Sequence, residues 1–141
     1  MLSTGQTARI SRSYSEEDLA DFSRLSGAAS NSVPEPLIAG LFSYLLGVKL
    51  PGSGTNYLKQ ELSFKAPAPL NRVLEAKVEI TRLRPEKHLV DLWASCTAPD
   101  GTVICEGRSL VKAKDVAGAF ADRSVAATAA MPELPQAQAE E

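Results

Sequence analysis

The chain has 141 residues, of which 44% are apolar and 23% charged, and its formal net charge is -2. This length is enough for one domain with a substantial core, and the small net charge gives no electrostatic reason to expect a nucleic-acid or membrane partner. The N-terminal residues contain no apolar stretch typical of a secretory signal, and the longest apolar run, Leu37 to Leu50, is too short to span a bilayer. We therefore expect a cytoplasmic protein.

The first elements in chain order are a strand and a short helix. Residues 7–14 alternate short apolar and polar side chains, which predicts a strand. Ser15-Glu16-Glu17-Asp18 then predicts a helix start, because it combines a capping hydroxyl with acids near the positive end of the helix dipole. Ser26-Gly27 ends this helix, whose apolar face carries Leu19, Phe22 and Leu25.

A second, more apolar helix is predicted from Leu37 to about Val48. No charged residue interrupts this segment, so we expect it to be buried on nearly all sides. Gly40, Ser43 and Gly47 recur at spacings of three and four, which would allow a sheet or helix to pack close to the backbone. Leu50-Pro51-Gly52-Ser53-Gly54 predicts the turn that closes it.

Four strand-like segments follow, at residues 55–66, 73–83, 88–98 and 102–113, and the last two are separated by the hairpin signal Pro99-Asp100-Gly101. The cysteines, Cys96 and Cys105, flank this hairpin and are expected to be reduced, buried and apolar in role. An apolar helix followed by amphipathic strands predicts an α+β domain over residues 1–114, in which an antiparallel sheet wraps the helix. The open sheet edge favours a homodimer.

The Ala-rich segment 115–141 differs in composition from the rest of the chain. It has helix propensity as far as about Ala130, but it carries no clear apolar stripe. We predict that it is a surface helix or a disordered tail.

Several phrases, in this order, resemble the MaoC-like branch of the hot-dog superfamily, the (R)-specific enoyl-CoA hydratases. They are "YSEEDLADFSRLSG", "LIAGLFSYLLGVKLPGSGTNYLKQELSFKAPA", "VLEAKVEITRLRPEK" and "CTAPDGTVICEGRSLVKA", which together span roughly residues 8–113. The resemblance implies a hot-dog fold, a dimer with acyl-thioester pockets, and a lyase of fatty acid metabolism. Acyl-CoA is then the substrate or ligand, and no cofactor or metal is implied.

In active members of this family, an Asp and a His activate water, and a second His followed by Gly opens the central helix. Here Ser26-Gly27 matches the motif, but Ala28 stands where the Asp belongs, and Asn31 is a displaced counterpart of the motif Asn. The segment that normally overhangs the helix is missing. Ala39-Gly40 is placed at the second His-Gly pair, which makes Gly40 the expected backbone oxyanion donor and Ala39 a substrate contact.

Glu35 is the candidate replacement for the lost acid–base groups, although a carboxylate at a helix start is also explained by the helix dipole alone. Asn56, Tyr57 and Gln60 lie on a strand expected beside the acyl tunnel and could orient a ligand. Lys59, Lys65 and Arg108 could meet a CoA phosphate or simply be solvated. His88, the one histidine, is expected at a strand end on the surface, without a catalytic role.

The sequence therefore predicts a homodimeric hot-dog protein that binds acyl-CoA or acyl-carrier thioesters without efficient hydratase activity. Two alternatives remain open: a non-enzymatic scaffold or partner-binding protein, and an acyl-CoA thioesterase that uses Glu35. If the protein is an enzyme, a hydratase-like lyase is favoured over a thioester hydrolase.

Overall fold

The computed structural model describes residues 1–120, which form two α-helices and six strands. In chain order the elements are β1 (Thr7–Arg12), α1 (Glu16–Ser26), α2 (Glu35–Tyr44), a π-helical turn (Leu45–Lys49), β2 (Asn56–Gln60), β3 (Ser63–Phe64), β4 (Leu74–Arg84), a 3-10 turn (Pro85–Lys87), β5 (Leu89–Thr97) and β6 (Val103–Lys112). Within these described residues, no helix is long and apolar enough to cross a membrane.

Helix α1 begins and ends where the sequence predicts. The Ser15 hydroxyl accepts a hydrogen bond from the Asp18 N–H at 3.2 Å, and the Asp18 carboxylate accepts one from the Ser15 N–H at 2.9 Å. Gly27 closes the helix with a φ of 77°, which favours glycine. The predicted apolar face is only partly covered, because Leu25 remains 78% exposed.

One antiparallel sheet forms the body of the molecule, in the strand order β1-β4-β5-β6-β2, with β3 paired to β6. Its inner face packs on α2 and the π-helical turn. The core combines Ile38, Leu41, Phe42, Leu45 and Leu46 from the helical side with Ala76, Val78, Ile80, Val90, Leu92, Ala94 and Cys96 from the sheet. This arrangement confirms the predicted α+β class and the sheet wrapped around a helix.

The central helix is less completely buried than the sequence suggests. Pro36, Gly40, Tyr44 and Val48 recur every four residues along one exposed side, and Val48 is 50% exposed. A Cβ added at Gly40 or Gly47 would meet nothing within 4 Å. The expectations of all-round burial and close packing at these glycines are therefore wrong, because this side of α2 lies outside the wrapped face.

The single strand predicted for residues 55–66 is divided into β2 and β3. A β-bulge between Tyr57 and Lys59 leaves Leu58 without a partner in the β2–β6 pairing and 52% exposed, although alternation places it inward. Between β2 and β3, the backbone of Glu61 crosses close to Gly107, where any Cβ would overlap the Glu61 carbonyl oxygen. Gly107 is therefore required for this crossing.

The core continues past the predicted domain boundary at residue 114. Residues 114–120 form turns, and Val116 and Ala119 are 7% and 3% exposed. The Leu2 N–H also donates to the Ala119 carbonyl at 3.2 Å. The remainder of the predicted tail, residues 121–141, lies outside the described residues.

Candidate functional site

The start of α2 presents a polar backbone group beside a cavity that has both apolar and polar walls. Val33 and Pro34 are buried, and the Val33 N–H donates to the Ala68 carbonyl at 2.9 Å, which anchors the approach to the helix. Pro34 caps the helix without a side-chain hydrogen bond, and Glu35 is the first helical residue. The Glu35 N–H precedes the first intrahelical bond, so it remains available as a donor at the positive end of the helix dipole.

A cavity of about 340 Å³ opens at this helix start. Its described lining consists of Ser32, Val33, Glu35, Ile38, Phe64, Lys65, Ala66, Pro67, Ala68 and Ile104. The walls are mostly apolar, and Glu35 and Lys65 supply the ionisable side chains among these residues. Burial raises the pKa of the nearby Cys105 thiol to about 11, with a smaller contribution in the same direction from the Glu35 charge.

Gly40 does not open the helix, contrary to its predicted position. It lies in the second turn of α2, where the helix uses its N–H, and it borders a different cavity, of about 470 Å³. Ala39, half-buried in the same turn, is absent from the described lining of both cavities. The pair that opens α2 is Pro34-Glu35, because proline is tolerated at and near a helix N-terminus and the helix begins before its apolar run.

The connection between the helices, which carries Ala28 and Asn31, is an exposed loop. The Ser26 hydroxyl accepts from the Ala28 N–H at 3.1 Å, and the Ser30 hydroxyl donates to the Ser32 carbonyl at 2.9 Å. Asn31 is exposed and is not among the described residues that line the cavity at the helix start. The geometry therefore places Glu35 at this cavity and leaves Asn31 outside it.

Gln60 uses its amide group within the protein. Its oxygen accepts from the Ser109 hydroxyl at 2.6 Å and from the Tyr57 hydroxyl, and its nitrogen donates to the carbonyls of Arg108 and Glu61 at 3.0 and 3.1 Å. Burial raises the pKa of Tyr57, although the Ser109 hydrogen bond opposes this shift. These contacts fasten β2 to β6. Ser109 was not identified from the sequence. Its polar side chain at an inward-facing position of the strand could have indicated a buried hydrogen bond.

The remaining candidates lie apart from the helix start or have protein partners. Lys59 pairs with Glu61 at 3.2 Å, and Lys65 pairs with Glu106 at 3.8 Å. The Arg108 Nε donates to the Asp91 carboxylate at 2.7 Å. Asn56 is an exposed residue at the beginning of β2.

His88 lies at the turn between β4 and β5, where its ring meets Phe120 edge to face with centroids 5.8 Å apart. This position agrees with the predicted surface location at a strand end. In residues 1–120, no group of three or more His, Cys, Asp or Glu side chains is placed to hold a metal ion.

An antiparallel sheet wrapped around a central helix is the architecture of the hot-dog class. The chain is 35% identical over 127 residues to the (R)-specific enoyl-CoA hydratase of Aeromonas caviae, covering 79% of this chain and 95% of that protein. A second relative of that name, from Rhodospirillum rubrum, is 35% identical over 123 residues, covering 76% and 85%. The chain therefore belongs to the (R)-specific enoyl-CoA hydratase family, although no protein-family model matches it.

Solved structures agree with this assignment. The (R)-hydratase of A. caviae involved in PHA biosynthesis superimposes with a TM-score of 0.74 at 34% identity, covering 79% of this chain and 96% of that chain. R-Hydratase PhaJ1 of Pseudomonas aeruginosa gives 0.70 at 26% identity, covering 79% and 82%.

Within the alignment to the A. caviae relative, this chain is shorter than its counterpart. The A. caviae match runs over 127 residues, whereas 79% of 141 residues is about 111, so about 16 aligned positions have no counterpart here.

Proposed function

We propose that this chain binds acyl thioesters at the start of α2 and does not hydrate enoyl thioesters efficiently. The main support for this proposal is the cavity of about 340 Å³, lined mainly by apolar residues together with Ser32, Glu35 and Lys65, next to the available N–H of Glu35. An N–H at a helix start, reinforced by the helix dipole, stabilises the negative charge that develops on a thioester oxygen. Phe64, Ile104 and Ile38 offer apolar contacts to an acyl chain.

The residues at the cavity argue against efficient hydration. Water addition to an enoyl thioester needs proton transfer, which a positioned acid or base accelerates by about 10²–10⁴-fold. The chain contains one histidine, His88, and it lies at the β4–β5 turn. Ala28 stands where the family resemblance implies the motif Asp. The short connection from Gly27 to Pro34 stands where the resemblance implies an overhanging segment. Oxyanion stabilisation alone would leave a slow reaction.

Binding and hydration can be measured separately on the full chain. We expect saturated acyl-CoAs to raise the melting temperature, because a ligand at 100 times its Kd stabilises the folded state by about 2.7 kcal/mol. We expect crotonyl-CoA to be hydrated at least 100-fold more slowly than by the A. caviae relative. Ala66→Phe, which fills the cavity, should weaken acyl-CoA binding at least tenfold, whereas Ala20→Phe on exposed α1 should not.

Two outcomes would contradict this function. Rapid hydration of crotonyl-CoA would overturn the claim of an inefficient hydratase. No thermal shift with acyl-CoAs of any length would overturn thioester binding and favour the non-enzymatic scaffold.

A second candidate function is thioester hydrolysis assisted by Glu35, because its carboxylate lines the same cavity as the backbone donor. In that reaction, water attacks the thioester carbonyl and CoA leaves as the thiol. Glu35→Gln should then abolish CoA release while acyl-CoA binding persists. Glu86→Gln, an exposed acid on the β4–β5 turn, is the matched control. Equal CoA release by both variants would exclude this role.

We also propose that the protein is a homodimer, which the exposed apolar side chains of the edge strand β2 support. We propose a cytoplasmic location, as the sequence predicts. Tyr57 is 40% exposed and Leu58 is 52% exposed on this strand. Large apolar side chains at a sheet edge favour burial against a second copy.

A further inference from the structure

A second cavity lies on the other side of the first turns of α2, between this helix and the end of β1. This β1–α2 groove has a volume of about 470 Å³. Its described lining consists of Ile10, Arg12, Tyr14, Pro36, Leu37, Gly40, Leu41 and Tyr44. None of these described residues also lines the cavity that contains Glu35, so the two spaces are separate sites.

The walls of the β1–α2 groove suit an unbranched apolar chain. Ile10, Leu37 and Leu41 supply aliphatic surface, and Gly40 leaves the helix backbone open at the middle of the groove. A Cβ at Gly40 would meet nothing within 4 Å, so the glycine is not explained by packing within the protein. Gly40 instead borders open space in the groove.

Arg12 supplies the charge at the β1 end of the groove. It is the one charged side chain among the described lining residues, and its guanidinium lies over the Tyr14 ring at 5.4 Å. Tyr14 is 7% exposed, and its hydroxyl lies 3.5 Å from the Leu37 carbonyl oxygen, so the ring under Arg12 is held in place. Within residues 1–120, no carboxylate forms an ion pair with Arg12. The Asp18 carboxylate accepts hydrogen bonds from the Ser15 N–H and hydroxyl.

We propose that the β1–α2 groove binds a fatty carboxylate, with the alkyl chain along α2 past Gly40 and the carboxylate on Arg12. An apolar groove with one cation and no described anion complements a ligand that has one negative head and one apolar tail. A guanidinium binds a carboxylate through two parallel N–H donors, which a neutral alcohol cannot match. This inference is independent of thioester binding at the helix start.

Isothermal titration calorimetry with three eight-carbon probes tests the charge requirement. Octanoate should bind, 1-octanol should bind at least fivefold more weakly, and octyltrimethylammonium should show no binding. Lengthening the carboxylate from hexanoate to octanoate to decanoate should tighten binding by up to about fourfold per methylene, the gain from burying each one. Equal affinities for octanoate and 1-octanol would overturn the proposal.

Two variants test the assigned residues. Arg12→Gln should remove the preference for octanoate over 1-octanol, whereas Arg9→Gln, on the same strand and paired with Glu75 at 3.5 Å, should keep it. Gly40→Leu should fill the groove and weaken octanoate at least tenfold. Gly47→Leu, another helical position where a Cβ meets nothing within 4 Å, should leave it unchanged. Circular dichroism checks that each variant is folded.

Retention of the octanoate preference in Arg12→Gln, or of full affinity in folded Gly40→Leu, would overturn the assignment. Because Ala66→Phe blocks the other cavity, it should leave octanoate binding intact, so a failure of either site is distinguishable from a failure of the other.

Discussion

Gln60 makes four hydrogen bonds within the protein, and one of them satisfies the fully buried Ser109 hydroxyl. Gln60→Leu would leave this hydroxyl without its acceptor, and an unsatisfied buried polar group costs about 1–3 kcal/mol. We therefore expect the free energy of unfolding, measured by urea denaturation, to fall by that amount. Asn56→Leu, at an exposed position of the same strand, is the control and should change it by less than about 0.5 kcal/mol. Equal stability of the Gln60 variant and the wild type would refute the structural role.

Cys96 and Cys105 face each other across β5 and β6, and both are free and fully buried. Burial is the main cause that raises their pKa values, to about 12 for Cys96 and about 11 for Cys105. We expect neither thiol to react with a chromogenic disulfide reagent at pH 8 until denaturant is added, after which both react. Rapid labelling of the native protein would contradict this expectation.

The same shifts predict a loss of stability in alkali. Well below pH 9, the ordinary pKa of a thiol, both thiols are protonated in the folded and unfolded chains, so their contribution is fully present there. Above about pH 9 the unfolded thiols ionise first, and the contribution is lost as the pH rises toward 11 and 12. Cys96→Ala should therefore show a smaller fall in melting temperature between pH 8 and pH 11 than the wild type. Identical pH profiles would contradict this prediction.

The sequence placed Glu35 next to the start of the central helix, but it did not identify the first residue of that helix. The importance of the helix start and the place of Glu35 beside it followed from its position between two prolines, ahead of the apolar run. The first residue of the helix did not follow, because proline is permitted in the first turn and the apolar pattern starts only at Leu37. The sequence therefore placed Gly40 at the helix start, whereas the helix begins five residues earlier, at Glu35.

Among the elements, α1 depends on its cap more than on its packing. All its residues are at least partly exposed, while Ser15 and Asp18 exchange hydrogen bonds at its start. Ser15→Ala should cost about 1 kcal/mol of helix stability, as is typical for the loss of an N-cap. We expect faster hydrogen exchange of the α1 amides and little change in the β5 amides. Ser13→Ala, at an exposed position before the cap, should change neither, and unchanged α1 exchange in Ser15→Ala would contradict this role.

The crossing of Glu61 over Gly107 predicts opposite effects for two glycine replacements. Gly107→Ala places a Cβ on the Glu61 carbonyl oxygen and forces the backbone apart, which should cost about 3 kcal/mol, the upper end of overpacking. Gly47→Ala adds a methyl group in open space and should be neutral or stabilise by up to about 1 kcal/mol. Thermal and urea unfolding of both variants provide the measurement. A stable Gly107→Ala protein would show that the two backbones can separate at little cost.

The strand boundaries show where the alternation of apolar and polar residues predicts a strand correctly and where it does not. Alternation predicted β4, β5 and β6, because their inward residues all face the same helix. It failed for residues 55–66, because the bulge at Leu58 and the crossing at Gly107 depend on a pairing with β6, some fifty residues away in sequence. The pattern of neighbouring residues in the sequence contains no indication of such a distant contact.

The balance between buried and exposed apolar surface in the whole molecule explains why the fold could be predicted, whereas the uncovered side of α2 could not. One charge-free helix followed by a meander of amphipathic strands leaves little choice except a sheet wrapped around that helix. Which side of the helix remains open depends on how far the sheet reaches. That reach leaves Gly40, Tyr44 and Val48 uncovered within the described residues, and no periodicity in the sequence could indicate it.

The sheet also has an edge at β2, which pairs with β6 on one side only and exposes Tyr57 and Leu58. A homodimer formed along this edge would bury Leu58, so Leu58→Asp would place an unpaired charge in the interface, at a cost of several kcal/mol. We expect sedimentation velocity to show a dimer for the wild type and a folded monomer for Leu58→Asp. Leu25→Asp is the matched control, because Leu25 is 78% exposed on α1, away from β2, and this variant should remain dimeric. A monomeric wild type would exclude the dimer, and a dimer that survives Leu58→Asp would place the interface elsewhere on the molecule.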